Sequence, residues 1–76
     1  MKDSTAGIII RQARLARGMT QKQLAEKMGL SDKAVSKWER GTGLPDVSLL
    51  LMLAEILDMD VRALLMCYRR SDRFQK

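Results

Sequence analysis

Apolar residues in this chain fall at helical spacing, in short runs separated by glycines and capping residues. Leu24, Ala25 and Met28 share one side of a helical wheel, and Val35 and Trp38 do the same one segment later. Leu50, Leu53, Ala54 and Leu57 follow an i, i+3, i+4, i+7 stripe. Turn signals divide the sequence into five short helices. Ser4 or Thr5 can cap the first, which runs to about Arg17 and stops at Gly18. Thr20 and Gln23 make a capping box for the second, which closes at Gly29. Ser31 caps the third, which ends at Gly41. After the loop Gly41-Thr42-Gly43-Leu44-Pro45, Asp46 caps the fourth. Asp60 caps the fifth, from Val61 to about Tyr68, and residues 69–76 are expected to fray. Ile10, Met19, Leu30, Leu44, Val47, Met59, Val61 and Leu64 complete the expected core.

Composition narrows the chemistry. The chain has 76 residues, room for one small domain. It has no His and a single Cys, Cys67, so an internal disulfide and Cys/His zinc sites are ruled out. His-dependent nucleophile and acid–base arrangements are ruled out with them. No apolar run approaches membrane-spanning length, and nothing resembles a signal peptide. The expectation is a cytoplasmic all-α domain covering residues 1–76, with no metal, cofactor, membrane contact or small-molecule ligand.

Charge is unevenly placed. The formal net charge is +5. From Arg11 to Arg40 eight bases face three acids (Glu26, Asp32 and Glu39), whereas Asp46 to Asp60 holds four acids and no base. A basic first half backed by an acidic helix suits a surface that meets a polyanion, though an ordinary solvated surface has the same composition.

The stretch from Gln21 to Arg40, QKQLAEKMGLSDKAVSKWER, carries the most information. Two short helices meet at Met28-Gly29-Leu30-Ser31, a turn that forces a steep crossing. Ala25 allows close approach, Gly29 makes the bend, and Leu30 and Val35 plug the gap. The outer face of the third helix is then Asp32, Lys33, Ser36, Lys37 and Arg40. A short, polar, mostly basic helix fits the major groove.

The pattern QxxLAxxMGLSxxxVSxWERGxxLP resembles the helix-turn-helix family of phage Cro and repressor proteins (the XRE family). It is similar in particular to bacterial members with a Lys-Trp-Glu-Arg-Gly string ending the recognition helix, here Lys37 to Gly41. The first helix, IIIRQARLARGMTQ, is similar to the family's Arg-bearing first helix. The resemblance implies a compact five-helix bundle of the phage-repressor type, DNA binding through a helix-turn-helix at residues 21–40, and dimerisation on two half-sites. It places Gln21 against phosphate and Ser31, Asp32, Lys33 and Lys37 near the groove. It also makes Arg14 and Glu39 a structural pair joining the first and third helices. Lys22, Ser36, Arg40 and Thr42 complete the candidate DNA-contacting set. Ala13 departs from the family pattern, being small where a larger apolar residue is usual. Leu49 and Met52 depart too, being apolar where polar residues are usual.

Alternatives attach to several of these residues. Lys33 and Lys37 can reach guanine O6/N7 or phosphate. Asp32 can accept from cytosine N4 or complement the helix dipole. Trp38 is expected to cover the core, Cys67 to act as a small apolar residue, and Tyr68 to pack at the end of the fifth helix. The tail residues Arg69, Arg70, Arg73 and Lys76 suit either phosphate or solvent.

Two function classes follow. One is a sequence-specific transcriptional regulator, in its simplest form a repressor, bound to double-stranded DNA. The other is a helical protein-interaction or antitoxin-like adaptor module. An enzyme is not indicated, because no nucleophile–base pair, metal cluster or phosphate-cradling glycine loop is present. With Leu50, Leu53, Ala54 and Leu57 committed to the core, Leu49, Met52 and Ile56 form a second apolar face on the fourth helix. That face is the expected interface of a homodimer.

Overall fold

A computed structural model describes residues 5–71, and side chains as far as Tyr68. It contains α1 (Thr5–Ala16), α2 (Gln21–Met28), α3 (Asp32–Arg40), a 3-10 turn (Val47–Leu49), α4 (Leu50–Leu57) and α5 (Val61–Ser71). The described residues are all-helical, in five α-helices, as the apolar spacing predicts. The expected cap at Ser4 and residues 72–76 of the tail, with Arg73 and Lys76, lie outside the described residues.

The helix ends follow local chemistry. Thr20 is extended, its side chain accepts from Gln23 N at 3.0 Å, and Gln23 Oε1 accepts from Thr20 N at 2.9 Å. Two of the orphan amides at the start of α2 are thereby satisfied. Gly29 closes α2 at φ 73°, a left-handed conformation that a Cβ disfavours. Ser31 sits at the N-cap of α3 in an extended conformation, but its hydroxyl makes no cap. The residue three positions on is Ala34, which has no side-chain acceptor to reciprocate. Ala34 N bonds to the Ser31 carbonyl instead.

Ile10, Leu24, Val35, Leu53 and Leu64 are wholly buried and form one cluster with Ala25, Met28, Trp38, Leu50 and Leu57. Every helix from α1 to α5 contributes to it. Met19, Leu30, Met59 and Val61 pack against its edge.

Leu44 and Val47 correct the expected core, being 49% and 60% exposed. The reason is the path from α3 to α4. Its extended stretch turns successive side chains to opposite sides, and Pro45 takes the buried position. The chain then enters a 3-10 turn, whose tighter winding carries Val47 outward. Asp46 caps this turn, accepting from Ser48 N at 3.1 Å. Leu49 accordingly precedes α4 instead of lying on it. At the other end α5 runs three residues past the expected stop, to Ser71. Tyr68 donates its phenol hydrogen to the Pro45 carbonyl and pins α5 to the loop.

Candidate nucleic-acid interface

The third helix is held by its inner face and its last turn, which leaves its outer face open. Val35 and Trp38 are buried, at 0% and 6% exposure. Asp32, Lys33, Lys37 and Arg40 are exposed, and Ser36 is half-buried. The helical winding of α3, nine residues long, places this polar strip on one side of the helix, beginning at the steep junction with α2. Ser31 and Thr42 stand exposed at its two ends. The Thr42 hydroxyl donates to the Lys37 carbonyl at 3.3 Å, so it also helps to close the helix. Lys22 is exposed in the first turn of α2.

The last turn of α3 is clamped from two directions. Arg14 Nε donates to Glu39 Oε2 at 2.7 Å and Arg14 Nη2 to Glu39 Oε1 at 3.0 Å, a bidentate pair. Their side chains are only 10% and 5% exposed. Arg14 Nη1 donates to the Met19 carbonyl at 2.8 Å, so the guanidinium also holds the turn between α1 and α2. Gln21 Nε2 donates to Glu39 Oε1 at 3.1 Å. No buried side-chain donor or acceptor among the described residues is left without a partner. The full pairing matters because a half-satisfied buried charge is costly.

Gln21 is therefore not simply a phosphate-facing residue. Its side-chain amide is engaged with Glu39, while its backbone starts α2 beside the exposed Lys22. No residue spacing in the sequence reveals this bridge. Gly7, too, is absent from the expected set. A Cβ at Gly7 would lie 2.2 Å from the Trp38 carbonyl oxygen and 3.0 Å from Glu39 Cα. Here α1 rests directly on the backbone of α3. The signal was a glycine inside a helical run, which disfavours the helix by about 0.5–1 kcal/mol relative to Ala and so implies a packing constraint.

Of the expected dimer residues, Met52 is 42% exposed, whereas Leu49 and Ile56 are half-buried against the core of their own chain. Leu51 is 62% exposed beside Met52. Among the described residues no cluster of three potential metal ligands occurs, and no helix is long and apolar enough to cross a membrane.

Known proteins share this fold. A family model described as helix-turn-helix matches residues 10–64. The HTH-type transcriptional activator BcrR of Enterococcus faecalis is 36% identical over 56 residues, 74% of this chain. The match spans only 28% of that relative's length. The P22 c2 repressor, solved in complex with a synthetic operator, superposes with a TM-score of 0.73 at 32% identity. That match covers 78% of this chain and 89% of the repressor chain. The restriction-modification controller protein C.AhdI of Aeromonas hydrophila also gives a TM-score of 0.73, at 34% identity, covering 80% of this chain and 92% of that one. The matched residues include the clamp, the capped α2 and the open face of α3, and the chain belongs to the helix-turn-helix family, in its Cro/repressor (XRE) type.

Proposed function

We propose that this chain regulates transcription by binding double-stranded DNA sequence-specifically, with α3 in the major groove, and that it acts as a repressor. The observation that carries this reading is the open face of α3. Asp32, Lys33, Ser36, Lys37 and Arg40 line one side of a rigidly clamped helix, and that side lies outside the buried core, with only Ser36 half-buried. A single helix of this width fits the groove, whose floor displays the donors and acceptors that distinguish base pairs. Lys33 and Lys37 supply base or phosphate contacts. Asp32 is suited to cytosine N4, and Ser31, Arg40 and Thr42 flank the strip. Lys22 and the backbone start of α2 at Gln21 meet phosphate.

Repression needs nothing beyond occupancy, because a bound domain excludes other proteins from the DNA it covers. The P22 c2 repressor, crystallised on an operator, supports this mode, while BcrR is an activator. The Lys37 to Gly41 string suits the bacterial subgroup with that sequence, since its Trp fills the core and its Glu anchors the clamp. The setting is the bacterial cytoplasm, where the DNA is. Two copies pairing through the outer side of α4, around Met52 and Leu51 with Leu49 and Ile56 behind them, would present two recognition helices to successive half-sites.

A gel shift with mixed genomic fragments at two salt concentrations tests the reading. Binding that weakens steeply with salt is expected, because each neutralised phosphate releases counterions. Absence of binding at low salt would instead favour the protein-interaction module.

A further inference from the structure

Three holds converge on the last turn of α3. Gly7 abuts the Trp38 carbonyl and Glu39 Cα, Arg14 grips the Glu39 carboxylate, and Gln21 reaches the same carboxylate from α2. The first two come from one helix, α1. We infer that Gly7 is a positioning residue that sets the angle of the recognition helix, and hence its base discrimination; this rests on the DNA-binding reading above.

A Cβ placed 2.2 Å from a backbone oxygen cannot be absorbed by a side-chain rotation. One helix must move by about 1 Å to restore ordinary contact. Behind α3, Val35 packs in the core and acts as a fulcrum. The tip carrying Asp32 and Lys33 lies some five to seven residues from the seat, about 8–10 Å along the axis. A displacement at the seat therefore reaches the tip at similar size. Hydrogen bonds to base edges tolerate only a few tenths of an ångström. Phosphate contacts made by long lysines tolerate much more, and they carry most of the salt dependence. A residue that sets the angle thus has a signature that mere packing lacks: discrimination falls while non-specific affinity and salt slope stay.

The test compares wild type, Gly7→Ala and Leu57→Ala, the last a core lesion on α4 away from the seat. Affinities are measured well below melting, in sucrose, which favours the compact state. The probes are a duplex that the wild type selects from a random pool and a scrambled duplex, each across a salt series. Gly7→Ala is expected to lose about tenfold or more in the ratio of the two affinities, with the salt slope unchanged. Leu57→Ala is expected to keep the ratio. Equal ratios in Gly7→Ala and wild type overturn the inference, as does a Gly7→Ala chain that stays unfolded in sucrose, which assigns Gly7 to stability alone. If the wild type selects no site, the DNA-binding reading fails and amide NMR shifts decide the geometry. Shifts spreading from Asp32 to Arg40 support it, and shifts confined to α1 overturn it.

Discussion

Arg14 and Glu39, 25 residues apart in sequence, share two hydrogen bonds of 2.7 and 3.0 Å in a site almost closed to water. Removing one partner strands the other charge. Arg14→Ala is expected to lose about 3–5 kcal/mol of stability. In a domain this size that is a fall in Tm of more than about 10 °C. Arg17 makes a looser pair with Asp58 at 3.3 Å, with side chains 47% and 77% exposed. Arg17→Ala should cost less than about 1 kcal/mol. Fluorescence of Trp38, the chain's single and buried tryptophan, reports both melts. Equal melting temperatures would contradict the clamp.

Thr20 and Ser31 occupy equivalent N-cap positions with different bonding. Thr20→Ala should destabilise by about 1 kcal/mol, because a capping box is broken. Ser31→Ala should cost under about 0.5 kcal/mol, since its hydroxyl caps nothing. Urea titrations of the two variants check the difference. If Ser31→Ala proves the costlier, the caps are wrongly assigned.

These two caps illustrate what the sequence disclosed. Helix boundaries and the buried stripe were legible because glycine, capping residues and 3.6-residue periodicity act locally. The same local rules put Ser31 in the N-cap position but could not tell that its hydroxyl would stay unused. Leu44 and Val47 were misplaced because an extended stretch and a 3-10 turn abandon helical periodicity between Gly43 and Leu50. Arg14 and Glu39 were paired through family resemblance, whereas Gly7 and the bond from Gln21 to Glu39 were missed. Their roles depend on how α1 and α2 meet the end of α3, which no single helix's pattern encodes.

Tyr68 should impose an alkaline limit on stability. Burial, aided by the neighbouring Cys67 and Asp46, pushes its phenol from 10.0 up to about 12. A pKa raised on folding means that the folded state favours the protonated phenol. Its contribution is complete below pH about 10 and is lost as pH rises through about 12. The phenolate cannot donate to Pro45, so the tie between α5 and the loop is lost with the proton. As the chain has one tyrosine, ultraviolet titration follows this group alone. A midpoint near 12 in the folded protein is expected, and Tyr68→Phe should flatten the fall in Tm at high pH. A midpoint near 10 would contradict this environment.

Met52→Lys combined with Leu51→Glu should leave the fold intact and abolish self-association, because both side chains are exposed on α4. Leu49 and Ile56 are unsuitable probes, since their burial would confound interface with core. Sedimentation of wild type and double variant, free and on DNA, reads the outcome. A wild type that remains monomeric in both states would rule out the α4 dimer.

Whether the open face of α3 reads duplex DNA is decided by selection from a random duplex pool. Wild type, Lys33→Ala and Lys37→Ala are carried through the same selection, and the affinity of each for the wild-type site is measured. A defined enriched motif is expected for the wild type. Each lysine variant that has lost a base contact is expected to lose about 1–3 kcal/mol, with relaxed preference at the corresponding base pair. A wild type that enriches no motif, or a motif and affinity that neither lysine substitution alters, would show that α3 is not the reader.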